Sequence, residues 1–360
     1  MSSQWPVRLA VARKAAARAL LHRPRRRAPP AEPRDILVVA TLLIGDGLLL
    51  APLLAKLHHR FPNAAIRVTV GAPVVPLFAG RPYGAQAAAF NPRDGRTLAA
   101  LQAWPAPDLA FVPGDNRYSW LAAALGARWI VAFEGDRPAY KSWPVDETVA
   151  FPREPAAWHD IAAALVPGAP PPPYRAGDWP AVPCTPFDRP QGRYAVLHVE
   201  ASHPSKHWAP GKWRELATLL ADVGIQPVWS AGPKGEPLIR SIDSQGAFAA
   251  LGHRLDLAQL WNLVADASLL VCPDTGVSHM GKLTGTPTVT LYGPRSATLF
   301  GRGEFFRDAP FRELVDADIP ARAQQGLFKR RLEWLAVEPH AAPVLGARDV
   351  FEAGRTLPWR

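Results

Sequence analysis

The sequence predicts an α/β protein made of two Rossmann-like domains that face a cleft. Short apolar runs rich in β-branched residues alternate with helical stretches along most of the 360 residues. This alternation is typical of a parallel sheet covered by helices. A proline-rich stretch near the middle interrupts the alternation, which then begins again. A chain of this length also suits two domains of ordinary size.

Five segments follow from this pattern. The two alternating halves are predicted at residues 34–175 and 193–315, with a proline-rich linker between them at 176–192. A basic N-terminal tail is predicted at 1–33 and a C-terminal tail at 316–360, because the pattern weakens beyond about residue 310.

The first half contains four apolar runs that we interpret as buried strands. Helices are predicted where longer stretches follow, and the first of them is closed by Pro62 and Asn63. The predicted strands are 35–41, 66–70, 108–112 and 129–133, and the predicted helices are 48–61 and 119–125.

The second half repeats the same alternation. One of its strands contains Pro227, which suits the beginning of a strand because proline cannot donate to the ladder of hydrogen bonds. The predicted strands are 194–199, 225–230, 268–272 and 288–292, and the predicted helices are 213–223, 257–264 and 277–283.

The net charge of +10 is concentrated at the N-terminus. Residues 1–30 hold eight Arg and Lys and no acidic residue, which leaves 33 basic and 31 acidic residues elsewhere. A nucleic-acid enzyme needs a basic surface on its folded domain, so we predict no nucleic-acid partner.

Two interpretations of the N-terminal segment stay open. If residues 5–21 are helical, Trp5, Leu9, Ala16 and Leu20 share one side, flanked by basic residues, which would suit a membrane surface. The alternative, slightly favoured, is a disordered basic tail. The sequence contains no apolar run long enough to cross a bilayer and no secretory signal pattern.

Cysteine usage argues against a disulfide framework and against a structural zinc site. The sequence has only Cys184 and Cys272, with no CxxC pair and no cluster of cysteine and histidine. Two lone thiols are consistent with a reducing compartment, and we predict no metal site.

The most informative segment is residues 269–294, where a strand leads into a helix. Asp274 or Thr275 is the predicted N-cap, and Gly276 lets a ligand approach the backbone. The amides from Thr275 to about Ser278 would bind an anion at the helix N-terminus, with His279 as a further donor. The alternative is an ordinary capped helix with His279 packed in the fold.

This segment resembles the donor-binding signature of glycosyltransferase family 9, the heptosyltransferase family. The matching residues are Asp274, Thr275, Gly276, His279, Gly285, Pro287, Thr288, Val289, Leu291, Tyr292, Gly293 and Pro294. Two further segments resemble the family in the same order along the chain, and the resemblance covers about residues 35–310.

The first of these segments follows the opening strand of the second half. Ala201, Ser202, Lys206 and Trp208 match the family pattern Ala-Ser-x-x-x-Lys-x-Trp. The resemblance implies that Ser202 and Lys206 face the donor phosphates. Lys206 would balance the charge of the leaving diphosphate without a metal ion.

The other segment lies near the start of the first half. Gly45, Asp46 and Pro52 match the first loop of the family, in which the aspartate is the proposed general base. A carboxylate at the tip of a strand-to-helix loop can accept the proton of an acceptor hydroxyl. The alternative is that Asp46 only caps a helix beginning near Gly47.

The resemblance implies a GT-B architecture and an inverting, metal-independent transfer of a sugar, heptose from ADP-heptose, onto a lipopolysaccharide-core-type glycan or glycolipid. It places the acceptor on the first half and the nucleotide sugar on the second, with no cofactor. It also implies a cytoplasmic location, at the membrane surface if the basic tail contacts anionic lipid. The predicted catalytic residue is Asp46, and the predicted donor-binding residues are Ser202, Lys206, Asp274, Thr275, Gly276, Val277, Ser278 and His279.

Some positions depart from the family pattern. Lys282 adds a positive charge to the predicted donor helix. Where the family often has an acidic residue that contacts the sugar, this chain has Gly232-Pro-Lys-Gly-Glu, so Lys234 and Glu236 are both candidates for the contact to the donor sugar.

Three other functions are weighed against this one. A nicotinamide dehydrogenase is disfavoured because Leu50 replaces the third glycine of GxGxxG, and Asp46 would repel a pyrophosphate. Hydrolase motifs and the phosphate-loop motif are absent from the sequence. A degenerate family member that binds a nucleotide sugar or a partner without catalysis is the remaining alternative, disfavoured by the joint presence of Asp46, Lys206 and the Asp274–His279 motif.

Overall fold

The computed structural model describes residues 5–21, 28–40, 43–251, 254–294, 296–319 and 342–359. The described residues form two compact units. The first unit comprises residues 5–154 and 159–171, and the second comprises 155–158, 172–319 and 342–359, apart from the gaps named above.

The first unit is built on a parallel sheet of six strands in the order β3-β2-β1-β4-β5-β6. Its strands are β1 Asp35–Val39, β2 Ala65–Val70, β3 Gln86–Ala89, β4 Leu109–Val112, β5 Trp129–Phe133 and β6 Glu147–Val149. The helices of this part of the chain are α1 Trp5–Leu21, α2 Ile44–Leu48, α3 Ala51–Arg60, α4 Gly95–Gln102, α5 Ser119–Ala124 and α6 Trp158–Ala163.

The second unit contains another parallel six-stranded sheet, in the order β12-β11-β10-β7-β8-β9. Its strands are β7 Tyr194–His198, β8 Gln226–Ser230, β9 Ala249–Ala250, β10 Leu269–Pro273, β11 Thr288–Tyr292 and β12 Phe311–Val315. Its helices are α7 Pro210–Asp222, α8 Glu236–Ile242, α9 Leu257–Ala265, α10 Gly276–Thr284, α11 Ser296–Phe300 and α12 Ala347–Arg355.

Both sheets have the same connectivity. Numbered within its own unit, each runs 3-2-1-4-5-6, which is the order of the doubly wound dinucleotide-binding fold. The direction of winding reverses between β1 and β4 in the first unit and between β7 and β10 in the second. Ligands of such sheets bind where the carboxyl ends of the strands meet this reversal.

The strands predicted from apolar runs are present in both units, because such runs bury well in a parallel sheet. Pro227 occupies the second position of β8, where β9 is too short to pair with it. The predicted helix at 48–61 corresponds to α3, in whose first turn Pro52 lies. The short helix α2 precedes it, in a segment that was predicted as a loop.

The N-terminal segment differs from the favoured expectation of a disordered tail. Residues 5–21 form α1, and Val7, Val11 and Ala15 are buried in the core of the first unit. The side of the helix predicted to suit a membrane surface lies opposite this buried face, and its residues Leu9 and Ala16 are exposed. The parts of the predicted tail at 1–4 and 22–27 lie outside the described residues.

The C-terminal segment is also structured where it is described. The prediction of a tail from residue 316 is wrong for 342–359, because α12 packs against α7 and buries Leu345, Val350 and Phe351 in the core of the second unit. Residues 320–341 of the predicted tail lie outside the described residues.

The proline-rich segment predicted as a linker packs onto the second unit. Trp179 is buried against Trp261 of α9, with 5.2 Å between ring centroids, and Asn262 donates to the carbonyl of Val182 at 2.7 Å. The division between units falls at residues 171 and 172 rather than at 175 and 176. No helix in the described part of the chain is both long enough and apolar enough to cross a bilayer.

Candidate active site

The predicted donor residues meet at the winding reversal of the second sheet. The loop carrying Ser202 and Lys206 follows β7, and the motif beginning at Asp274 follows β10, the neighbouring strand. Both loops leave the carboxyl ends of their strands, so segments separated by about 70 positions lie side by side. This is the position at which a doubly wound sheet binds nucleotides.

Lys206 and Asp274 form the centre of this site. The Nζ atom of Lys206 lies 2.6 Å from Oδ2 of Asp274 and 3.3 Å from its carbonyl oxygen. Asp274 is buried, whereas the Lys206 side chain keeps 20% of its exposure. The lysine ammonium is therefore fixed by a buried carboxylate while part of it still reaches solvent.

The Lys206 loop is held by the residues on either side of it. The Nδ1 atom of His203 accepts a hydrogen bond from the amide of Ser205 at 3.1 Å, which caps the short 3-10 helix that contains the lysine. Trp208 is buried, and its Nε1 donates to Asp316 at 3.0 Å. Asp316 is fully buried and lies just beyond β12, where the sequence pattern had become uninformative.

The start of α10 presents backbone amides beside Lys206. Thr275, one of the two predicted N-caps, is the N-cap, but its side chain makes no capping hydrogen bond. The amides of Gly276 and Val277 precede the first intrahelical bonds and point out of the helix N-terminus. The amide of Ser278 was expected to be available to an anion, but it donates to the carbonyl of Thr275 at 3.1 Å. Two or three amides thus remain for an anion.

His279 is buried on the inner side of this turn. Its Nδ1 lies 3.4 Å from Oγ of Ser278, and its ring lies 6.2 Å from that of Phe300. Ser278 Oγ in turn donates to the carbonyl of Thr275 at 2.7 Å. These contacts agree with the packed alternative for His279, and a contact to the donor stays a prediction.

Lys282 makes its contacts inside the second unit. It is buried, and its Nζ donates at 2.7 Å to the carbonyls of both Phe300 and Gly301. The rings of Phe306 and Phe311 lie 5.6 and 4.9 Å from the same nitrogen. The lysine satisfies carbonyls at the C-terminal end of α11, and an effect of its charge on donor binding stays a prediction.

Neither candidate for the sugar contact is fixed by the protein at the site. Lys234 is exposed, and Glu236 pairs with Arg240 one turn later in α8 at 2.7 Å. Both stay predictions. The sequence analysis missed Glu200. Its carboxylate accepts a hydrogen bond from the amide of Gly232 at 2.7 Å and so holds the loop between β8 and α8, which contains Lys234. Its only signal was an acidic residue between β7 and the Ala-Ser pattern.

Asp46 lies at the carboxyl end of β1 in the first unit. It is half-buried and occupies the first turn of α2, whose N-cap is Leu43. The helix begins at Ile44 rather than near Gly47, so the interpretation of Asp46 as the cap of this helix is wrong. Its role as a base stays a prediction. Leu43 and Ile44 are exposed beside it.

A charged network that the sequence reasoning missed follows β4, the neighbour of β1. Asp115 is buried and pairs with Arg117 at 2.6 Å and Lys141 at 3.2 Å. Burial tends to raise the pKa of Asp115, but the hydrogen bonds and positive charges of Arg117 and Lys141 hold it below its ordinary value. Arg117 remains 55% exposed, so it can meet a ligand.

Residues 111–302 match the family described as glycosyltransferase family 9 (heptosyltransferase). This match covers more than half of the chain. The chain belongs to glycosyltransferase family 9. The matched range contains Ser202, Lys206 and the whole Asp274–His279 motif, whereas Asp46 lies outside it.

The curated relatives within family 9 are lipopolysaccharide heptosyltransferases. Lipopolysaccharide heptosyltransferase 1 of Escherichia coli (strain K12) is 31% identical over 135 residues, 36% of this chain and 42% of that protein. The enzyme of E. coli O18:K1:H7 is 33% identical over 151 residues, 41% and 45% respectively. The chain thus spans less than half the length of the curated relatives it matches.

Solved structures of family 9 share the fold over most of the chain. The glycosyl transferase family 9 protein of Veillonella parvula has a TM-score of 0.69 and 15% identity, and covers 91% of this chain and 97% of its own. E. coli ADP-heptose lps heptosyltransferase II has a TM-score of 0.67 and 20% identity, with 89% and 98% covered. The predicted α/β GT-B architecture is confirmed.

Proposed function

We propose that the protein is an inverting, metal-independent glycosyltransferase that moves heptose from ADP-heptose onto a glycan of the lipopolysaccharide-core type. The observation that carries this proposal is the placement of Lys206, on Asp274 and beside the uncapped start of α10, at the winding reversal of the second sheet. Membership of family 9 and the names of the curated relatives support the reaction class.

The donor diphosphate would bind between the Lys206 ammonium and the first amides of α10. A leaving diphosphate gains negative charge as the glycosidic bond breaks, so a fixed positive charge and fixed N–H dipoles favour the transition state. The ammonium supplies the charge that a metal ion supplies in other transferases. For the donor identity, E. coli heptosyltransferase WaaC, which shares this fold, has been solved with ADP and with ADP-2-deoxy-2-fluoro heptose.

Asp274 would act through Lys206 rather than on the phosphates. A carboxylate in direct contact with a diphosphate would repel it, whereas Oδ2 at 2.6 Å from Nζ holds the ammonium in place. Asp274 is therefore a positioning residue in this proposal. Ser202, exposed on the same loop, would add a hydroxyl donor to the phosphates.

The acceptor would use the first unit. Asp46 would remove the proton of the acceptor hydroxyl as that oxygen attacks the anomeric carbon, and a single displacement inverts the centre. Arg117 lies after β4, at the winding reversal next to β1, and would bind an anionic group of the acceptor. A cytoplasmic site of action follows from the use of a nucleotide sugar.

Calorimetry with ADP-heptose, ADP, GDP and UDP tests the donor site. We expect ADP and ADP-heptose to bind more tightly than GDP and UDP. The Lys206→Ala variant should weaken ADP binding by roughly 10- to 100-fold, because a hydrogen bond to a charged group is lost. EDTA should leave the affinity unchanged.

The matched control is Arg214→Ala, which removes an exposed cation from α7 of the same unit. This variant should bind ADP like the wild type. Equal loss in both variants would contradict a specific role for Lys206. Preferential binding of GDP or UDP would refute the donor, and binding without any turnover would favour a degenerate family member.

A further inference from the structure

The loop between β7 and α7 is buried at its two ends and open in between. Ala201 and Trp208 are buried, whereas residues 202–207 are half-buried or exposed. Lys206 belongs to the open part, so packing around the loop itself does little to fix its ammonium group. Its position in the donor site therefore depends on the points at which the loop is attached to the rest of the second unit.

Trp208 attaches the loop two residues after Lys206. Its indole lies edge-on to that of Trp213, with 5.2 Å between ring centroids. Its Nε1 donates to Oδ2 of Asp316 at 3.0 Å, and both partners of this hydrogen bond are buried. A hydrogen bond to a carboxylate is stronger than one between neutral groups, and exclusion of water strengthens it further. The bond thus fixes the orientation of the indole within the core.

Asp316 is itself held on every side. Its Oδ1 accepts hydrogen bonds from the amides of Asp318 at 3.0 Å and Leu345 at 3.3 Å. Its own amide donates to the carbonyl of Tyr292 at 2.9 Å, and Lys212 Nζ lies 3.9 Å from its Oδ2. The carboxylate cannot turn without breaking these contacts, so it is a rigid acceptor for the indole. The contact with Leu345 also connects it to the segment that leads into α12.

Strand β11 aligns the two carboxylates that hold the loop. The amide of Asp274 donates to the carbonyl of Leu291 at 3.0 Å, and the amide of Asp316 donates to that of Tyr292, the next residue. Leu291 and Tyr292 are the last two residues of β11. One carboxylate holds the lysine of the loop and the other holds its tryptophan, so a single strand end sets both attachments.

We propose that Asp316 is a positioning residue for the donor diphosphate, acting through Trp208 on Lys206. Asp274 holds the ammonium group, whereas Asp316 fixes the backbone from which the lysine extends. Together they place the charge at a defined distance from the first amides of α10. A misplacement of about 1 Å can cost roughly 10²-fold in rate. The inference rests on the proposed role of Lys206 in donor binding.

Asp316→Asn tests this role with almost no change of shape. The asparagine oxygen can still accept from the amides of Asp318 and Leu345, but its NH2 group then faces the indole N–H, and two donors cannot bond. We expect ADP to bind about tenfold more weakly, because the loosened loop must be ordered on binding at the cost of about one hydrogen bond. Trp208→Phe removes the donor instead and should have the same effect.

A double-mutant cycle with Lys206→Ala separates positioning from a general structural role. If Asp316 acts through the lysine, Asp316→Asn should weaken ADP binding in the wild-type background and add little in the Lys206→Ala background. Equal losses of affinity in both backgrounds would overturn the inference.

The reactivity of Lys206 gives a second measurement that needs no nucleotide. Brief treatment with acetic anhydride, read by mass spectrometry, compares the labelling rate of Lys206 with that of the exposed Lys234. In the wild type Lys206 should react slowly, because Asp274 holds its ammonium at 2.6 Å. Asp316→Asn and Trp208→Phe should each raise the rate at Lys206 and leave that at Lys234 unchanged.

The matched control is Tyr194→Phe, which removes a buried hydrogen bond of 2.7 Å to the carbonyl of Leu263. Tyr194 begins β7, at the end of the strand opposite the loop. This variant should lose stability but keep the wild-type ADP affinity and labelling. Unchanged labelling of Lys206 in both Asp316→Asn and Trp208→Phe would overturn the inference. Absence of ADP binding by the wild type would refute the proposed donor, and the labelling would still decide whether Asp316 positions the lysine.

Discussion

At the residue scale, the candidate site depends on how buried polar groups are satisfied. Asp274 is buried because Lys206 neutralises it, and Lys206 is placed by Asp274. A buried carboxylate without its partner would carry a large desolvation cost. The two residues therefore act as one structural group, and replacing either one changes the electrostatics at the start of α10.

His198 gives a residue-scale prediction on pH dependence. It ends β7 and lies 2.9 Å from Ser230 Oγ, through Nδ1. Burial lowers its pKa from 6.5 to about 4, although a hydrogen bond with the backbone of Glu200 opposes the shift. Between these values the unfolded chain binds a proton that the folded chain does not. The free energy of unfolding should thus be fully maintained above pH 6.5 and fall by about 3 kcal/mol towards pH 4.

Urea unfolding of the wild type and His198→Gln at several pH values checks this prediction. The glutamine can keep a hydrogen bond to Ser230 but cannot titrate, so the fall in stability across the window should be smaller by this amount. His59→Gln, at an exposed histidine, should leave the wild-type dependence unchanged. The same pH dependence in wild type and His198→Gln would contradict the assignment.

At the element scale, α10 is the part of the fold on which the site most depends. Its N-terminus faces the predicted diphosphate, and its C-terminus ends at Gly285, whose φ of +65° is left-handed. The glycine and the following proline of the family signature therefore terminate the helix. Gly281 lets the helix lie directly on β10 and β11.

Gly281→Ala should destabilise the protein, although alanine favours helices. A Cβ at this position would lie 2.2 Å from Thr288 Oγ1 and 2.9 Å from Leu270 Cδ2. Overpacking of this kind costs about 1–3 kcal/mol. The control is Gly211→Ala in α7, where a Cβ meets nothing within 4 Å.

Thermal or urea unfolding of both variants provides the measurement. We expect Gly211→Ala to be neutral or stabilising by up to about 1 kcal/mol. Stabilisation by Gly281→Ala would show that α10 does not pack on the sheet as described. Weakened ADP binding by Gly281→Ala would further connect this packing to the site.

At the scale of the whole molecule, the sequence predicted the four central strands of each sheet, because buried parallel strands are continuous apolar runs. It missed the edge strands β3, β6, β9 and β12. It did not predict α12, whose polar face and distance from the repeating pattern hid its buried positions Val350 and Phe351. For α1 the helix was foreseen only as one of two alternatives, and its packing face of Val7, Val11 and Ala15 was not predicted, because these residues are small beside the exposed Leu9. The family match accounts for the fold class but does not extend to Asp46.

The parts of the candidate site that are formed by neighbouring residues along the chain could be predicted from the sequence. The Asp274–His279 turn was identified at the start of a helix, and Thr275 is one of the two predicted N-caps. The ion pair between Lys206 and Asp274, and the burial of Lys282 under α11, depend on contacts between distant segments. Periodicity and spacing carry no information on such contacts.

The most direct test of the central claim is transfer itself. The wild-type protein is incubated with ADP-heptose and a lipopolysaccharide-core acceptor, with EDTA present, and the anomeric configuration of the product is read by NMR. We predict release of ADP and an inverted product. Asp46→Asn should lower the transfer rate by about 10²- to 10⁴-fold while calorimetric ADP binding stays at the wild-type value. Donor binding with no heptose transfer by the wild type, or full activity of Asp46→Asn, would contradict the account.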